Sequence, residues 1–242
     1  MLERERSENF SGNNAVKFLC HIAPIHGREK SLSECLASRI ARWREDHPDL
    51  QFERLERLPN DPFRSEAPYR ATLGIRGNAA TPDRLARLLD GFAAEMEDVA
   101  RAELGTALVG TDIAFREPDP HCAVRLEYLM RRKDDSDHES YLRRYRDVHS
   151  RFGLATPGAR GYVQFHVDPE ASQAVARAAG LGVWDIDSVS ELHLGSLDEF
   201  LEAVTQSSVG AEAIADEKLF VDRAHSFYLC SRNPERPGAS TP

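Results

Sequence analysis

The feature that most constrains the fold of this chain is a rhythm. Eight short runs, at 15–23, 51–58, 69–76, 107–115, 123–130, 161–167, 186–194 and 223–230, are apolar enough for strands and too short for buried helices. Between them lie helix-start signatures. Ser31/Glu34, Ser136/Glu139 and Ser196/Glu199 have capping-box spacing, in which Ser and Glu satisfy two orphan amides of a first turn. Thr81-Pro82 places a proline where a helix loses no hydrogen bond. These signals predict helices over 31–47, 82–104, 137–152 and 196–206, with another near 210–219.

Read in order, residues 15–116 give β-α-β-β-α-β, and residues 122–231 give it again with one extra helix. The expected fold class is therefore α+β, with two ferredoxin-like repeats in tandem, the first degenerate. Arg116-Glu-Pro-Asp-Pro-His121 has two prolines and no apolar residue, which suits a linker. Segments 1–14 and 232–242 are expected to be flexible. Because residue identity between the halves is slight, a single α+β domain of another topology is the alternative.

Composition narrows the function. A net charge of −9 supplies no broad phosphate-neutralising footprint, so nucleic acid is not an expected partner. The amino terminus alternates charges, and nowhere do eighteen apolar residues run together, so the expectation is a cytoplasmic protein with no membrane span. Cys20, Cys35, Cys122 and Cys230 lie far apart, without zinc spacing, and read as reduced thiols. The chain has no G-x-S-x-G elbow, no dinucleotide fingerprint and no Walker loop; Gly105 and Gly110 lack the Lys-Ser/Thr that would complete one. No metal-ligand spacing occurs among the nine histidines, and no metal site is expected.

Alternation along the strands divides structural from chemical residues. Val124, Leu126, Tyr128 and Met130 share one face and read as helix-facing core; Arg125 and Glu127 lie opposite. Val163, Phe165 and Val167 oppose Tyr162, Gln164 and His166, while Glu191 and His193 oppose Leu192 and Leu194. The polar sets are expected to line one space between two sheets, where proton transfer becomes feasible; the other reading is a wet sheet face. In the first half, Lys17 and His21 alternate with Val16, Phe18, Cys20 and Ile22, and the second half looks chemically richer. On the helix after Ser136, Tyr141, Tyr145, Val148, His149 and Phe152 form a stripe. A helix terminus would raise the pKa of His149 and burial would lower it.

The second half resembles the EthD family of the dimeric α/β-barrel superfamily. The resemblance rests on Leu129-Met-Arg-Arg132, Tyr141 through Tyr145 to His149, Tyr162-Val-Gln-Phe-His166, Val189-Ser-Glu-Leu-His193 and Ala215-Asp-Glu-Lys-Leu-Phe-Val-Asp222. Tyr145 stands where the family has Trp, and the proline that often follows the helix histidine is absent. The resemblance implies a dimeric-α/β-barrel-type arrangement, in which the first half replaces a partner subunit or the chain forms a homodimer.

It also implies a cofactor-independent lyase or cyclase/dehydratase acting on an aromatic or polyketide-like, hydrophobic small molecule. The catalytic candidates are His166, His149, Glu191 and Asp216; the substrate-binding candidates are Tyr162, Tyr145, Arg125, Gln164, His193 and Phe220. One histidine would abstract a proton beside a carbonyl, a carboxylate would orient it, and Tyr162 or Arg125 would stabilise the enolate. A non-catalytic binding protein and a monooxygenase of the same fold are the alternatives. No cofactor is required by this reading, although the superfamily has haem-binding members for which His149 or His166 would be the ligand.

Overall fold

The computed structural model describes residues 15–63, 66–182 and 185–235. Eight strands, β1 (Val16–Ile22), β2 (Gln51–Arg57), β3 (Ala71–Arg76), β4 (Leu108–Arg116), β5 (Val124–Met130), β6 (Ala159–Val167), β7 (Ser188–Leu194) and β8 (Phe227–Arg232), close into a barrel. Its order is β1-β3-β2-β8-β5-β7-β6-β4, with every pairing antiparallel. Closure leaves no unpaired sheet edge, so one chain completes the barrel. Within each half the strands lie in the same order, β4-β1-β3-β2 and β8-β5-β7-β6, and the halves meet at two seams, β2–β8 and β4–β6.

The pleat sorts side chains into three layers. Leu19, Leu108, Leu129, Phe165, Val167, Val189 and Leu229 meet inside the barrel. Phe18, Cys20, Ile22, Leu73, Ile75 and Val109 point outward, under helices α1 (Glu29–Asp46) and α2 (Pro82–Leu88). A fully buried Leu or Ile of this kind contributes roughly 1.5–3 kcal/mol over an exposed one. The outward residues of β5, expected as helix-facing core, are so: Tyr128 and Met130 in one cluster, Leu126 and the half-buried Val124 in another. The remaining helices are α3 (His138–Arg144), α4 (Ser150–Ala155), α5 (Pro169–Ala179), α6 (Leu197–Thr205) and α7 (Val209–Glu217). None of the described helices is long and apolar enough to cross a membrane.

Several expectations are corrected. The helix expected over 82–104 ends at Leu88: the chain turns through Gly91, whose φ of +70° suits glycine, and continues as two short 3₁₀ turns. The helix expected from Ser31 begins at Glu29, so Ser31 is not its cap. Asp137, not Ser136, caps α3, its carboxylate accepting from Ser140 N at 2.8 Å. Thr81 and Ser196 cap as expected, accepting from Arg84 N and Glu199 N. Helix α5 has no counterpart among the expected helices: Asp168-Pro169 opens it and Gly180, at φ +71°, closes it. It carries Val175, Ala176 and Ala179 into the core of the first half, so that core draws on both halves. Of the tail expected to be flexible, Arg232 ends β8, Asn233 N donates to Ala123 O, and Glu235 pairs with Arg44 at 2.7 Å; residues 1–14 and 236–242 lie outside the described residues.

Candidate active site

The polar residues expected to line one space lie on opposite faces of the barrel wall. Val163, Phe165 and Val167 face inward, so Tyr162, Gln164 and His166 face outward beneath α3, α4 and α7; Arg125, Glu127, Glu191 and His193 point inside. The expectation of a single set is therefore corrected. Hydrophobicity alone hides the difference, because the barrel lumen is itself half apolar and the outer face is covered by aromatic helix residues.

The outer cluster is built by a break in the helix. Between α3 and α4, Tyr145–His149 form a π-turn, and both Tyr145 and His149 are buried beside the sheet. Such an insertion is a frequent mark of functional sites. His149 Nδ1 lies 2.9 Å from Asp216 Oδ2, and Asp216 Oδ1 accepts from Arg144 at 2.5 Å. His149 Nε2 faces Glu217 at 3.9 Å, and Glu217 is paired with Arg223. Tyr145, Phe152 and Phe220 surround the imidazole with ring centroids 5.2–5.9 Å away. Burial outweighs Asp216 and holds the His149 pKa below the ordinary histidine value, so the ring is a neutral base at neutral pH. Asp216 stays ionised: the hydrogen bonds from His149 and Arg144 overcome its burial and hold its pKa low.

Beneath this dyad, the Gln164 amide donates to Tyr145 O at 3.0 Å and to the Tyr162 hydroxyl at 2.7 Å, and its carbonyl oxygen lies 3.0 Å from His166 Nε2. Burial pushes His166 down to about 4 and Tyr162 up to about 12. Gly153 makes room for the Tyr162 ring, since a Cβ there would sit 2.3 Å from it. The structure thus brings together His149, Asp216, Tyr145, Tyr162, Gln164, His166 and Phe220. Arg144 and Glu217 belong to the same cluster; their only sequence signal was one-turn proximity to the stripe and to Asp216.

The inner cluster holds Glu191, Arg125 and His193, joined by Lys17, Glu53 and Asp112 from the first half. Lys17 Nζ is 2.5 Å from Glu191 and 3.2 Å from Asp112, and Arg125 Nη2 is 2.7 Å from Glu53. Burial disfavours charge here, yet Lys17 and Arg125 outweigh it at Glu191, which lies well below the carboxylate range, and Asp112 and Glu191 hold Lys17 above its own. Burial raises Asp112 and lowers His193. The signal for the first-half members was a polar residue within an apolar strand, at Lys17 and Asp112.

Each histidine named for haem already has one ring nitrogen hydrogen-bonded and at least one aromatic ring packed on its imidazole. His149 has Nδ1 on Asp216, Nε2 facing Glu217, and aromatic rings around it; His166 Nε2 is held by Gln164, with Tyr145 packed on its ring. A macrocycle beside either imidazole would have to displace Tyr145, Phe152 or Phe220.

Residues 133–224, which contain every residue of the outer cluster, match the model of the EthD domain. Over that stretch this chain is similar to EthD domains. Among solved structures, an anthrone oxidase-like protein superposes with a TM-score of 0.59 at 11% identity, covering 95% of this chain and 98% of that one. A chlorite dismutase variant from Candidatus Nitrospira defluvii gives 0.52 at 10% identity, covering 93% and 94%. A monooxygenase candidate from Lactobacillus acidophilus gives 0.50 at 10% identity, covering 90% and 93%. These likenesses establish a dimeric α/β-barrel fold around the EthD domain and extend it to the first half. A search of curated proteins returns no match.

Proposed function

We propose that the EthD half is a proton-transfer enzyme, a cofactor-independent lyase or cyclase/dehydratase, acting on an aromatic or polyketide-like small molecule at His149. The observation that carries this reading is the His149–Asp216 contact of 2.9 Å. Asp216, fixed by Arg144, accepts the hydrogen bond from Nδ1–H and so leaves Nε2 as the unprotonated acceptor, an arrangement in which a carboxylate sets the imidazole tautomer. A proton removed from the carbon beside a carbonyl goes to Nε2, and the imidazolium so formed lies between Asp216 and Glu217. That proton then passes to the departing hydroxide, which leaves as water, so the reaction is a net dehydration. Four apolar side chains are exposed on the same segments, Val148 on the π-turn, Leu154 on α4, Ile214 on α7 and Leu219 just after it, the last 65% exposed.

The repeated strand order supports two tandem ferredoxin-like units, 15–116 and 122–231, with barrel closure in one chain supplying what a homodimer would supply. A monooxygenase is the second reading, favoured by the likeness to the anthrone oxidase-like structure over 95% of the chain.

The test is turnover of a panel of hydroxylated aryl ketones and anthrones, followed by mass spectrometry with oxygen monitored. Loss of one water without oxygen uptake is the expected result, and His149→Ala should lower the rate roughly 10²–10⁴-fold. Gain of oxygen with oxygen consumed would select the monooxygenase, and full activity in His149→Ala would remove the dyad from the mechanism.

A further inference from the structure

The inner cluster lies outside the proposed reaction, yet it forms the floor of a cavity of about 920 Å³ at one mouth of the barrel. Lys17, Asp112, Arg125, Glu191 and His193 line it, with Val163 and Ala114 as apolar wall. Burying such a group of charges is costly where an apolar lumen would pack at less expense, and clusters of this kind gather at binding sites.

The hydrogen-bond accounting shows what the floor lacks. Arg125 is 7% exposed and spends Nη2 on Glu53, while its Nε and Nη1 have no hydrogen-bond partner. Nη1 lies 3.8 Å from Glu191, and His193 Nε2 lies 3.6 Å from the same carboxylate, both beyond hydrogen-bonding distance. Lys17 spends two donors on Asp112 and Glu191. The floor therefore has unspent donors. It has no unspent positive charge, because Glu53, Asp112 and Glu191 already balance Lys17 and Arg125. Unspent donors call for an oxygen lone pair, and balanced charge disfavours an anion.

We propose that this barrel mouth is a second binding site, separate from His149, for a neutral carbonyl-bearing molecule of the aryl amide or aryl ketone class. Its carbonyl oxygen lies on Arg125, and its ring lies against Val163 and Ala114. The cavity volume falls within the range of small-molecule pockets.

Ligand-observed NMR with benzamide and, separately, benzoate tests this, together with the ¹⁵N-edited signal of the Arg125 Nε–H. Benzamide is expected to bind and to move that signal, and benzoate of the same shape is expected to bind at least about tenfold more weakly, one misplaced charge contact being worth that much. Arg125→Lys keeps the charge opposite Glu53 and removes the guanidinium donors; it should weaken benzamide by about tenfold. Ala114→Trp fills the mouth without touching a charge and should abolish binding in a protein whose amide spectrum stays dispersed, which separates site loss from unfolding. Equal or tighter binding of benzoate, benzamide binding unchanged in Ala114→Trp, or no binding of benzamide would each overturn the proposal.

Discussion

Replacing Lys17 by Met asks what the buried charges inside the barrel do for stability. Lys17 and Glu191 are 5% and 2% exposed, lie 2.5 Å apart and join β1 to β7, strands from different halves. Removing one partner of a buried pair costs about 3–5 kcal/mol, because the other charge stays desolvated and uncompensated. Here Arg125, 3.8 Å from Glu191, takes up part of the deficit, which places Lys17→Met near the lower end, at about 3 kcal/mol. The double variant Lys17→Met, Glu191→Leu removes the stranded charge, and Asp112, whose pKa burial already raises, can take a proton. It should therefore recover about 2 kcal/mol of that loss. Urea denaturation followed by circular dichroism reads both. With a slope of about 3 kcal/mol/M, the single variant shifts the midpoint down by about 1 M. A shift below about 0.3 M, or a double variant less stable than the single one, would refute the picture of a desolvated pair.

Other outcomes follow from particular contacts. The His166 pKa is about 4 in the folded chain against 6.5 in the unfolded one, so the folded state binds fewer protons between these values and stability falls as pH drops through that window. The loss reaches about 3 kcal/mol at pH 4, and His166→Asn should flatten this part of a stability-versus-pH curve; an unchanged slope would contradict it. Gly153→Ala drives a methyl into the Tyr162 ring and should cost about 1–3 kcal/mol, seen as a lowered melting temperature, with the Tyr162–Gln164 hydrogen bond lost. Asp137→Ala removes the cap of α3 and should cost about 1 kcal/mol in the same assay, with less effect from Ser136→Ala.

The strand runs were legible in the sequence because burial on a barrel wall enforces apolar content at period two, and all eight appear within a few residues of their expected places. The EthD half was legible from the order of its aromatic and histidine positions. Which way each strand faced was not. In β6 both faces are buried, Phe165 against the lumen and Tyr162 against Gly153, so alternation marks two environments without saying which is inside. The His149–Asp216 contact spans 67 positions and forms where α7 packs on the π-turn, and Lys17–Glu191 spans 174 and needs the barrel to close. Helix α5 is not legible in the sequence because its buried residues are mostly Ala, which carry little hydrophobic signal.

The two seams of the barrel are unequal. β4 and β6 share six register pairs, whereas β2 and β8 share two, Glu56 with Arg232 and Arg57 with Ser231. The shorter seam is the weaker clasp, reinforced by Asn233 on Glu53 and Glu235 on Arg44. If it parts, the barrel becomes a curved sheet with β2 and β8 as bare margins, each a template for the matching strand of another molecule. Trimming the chain after Arg232 should therefore favour exchange dimers, in which β2 of one molecule zips onto β8 of the next.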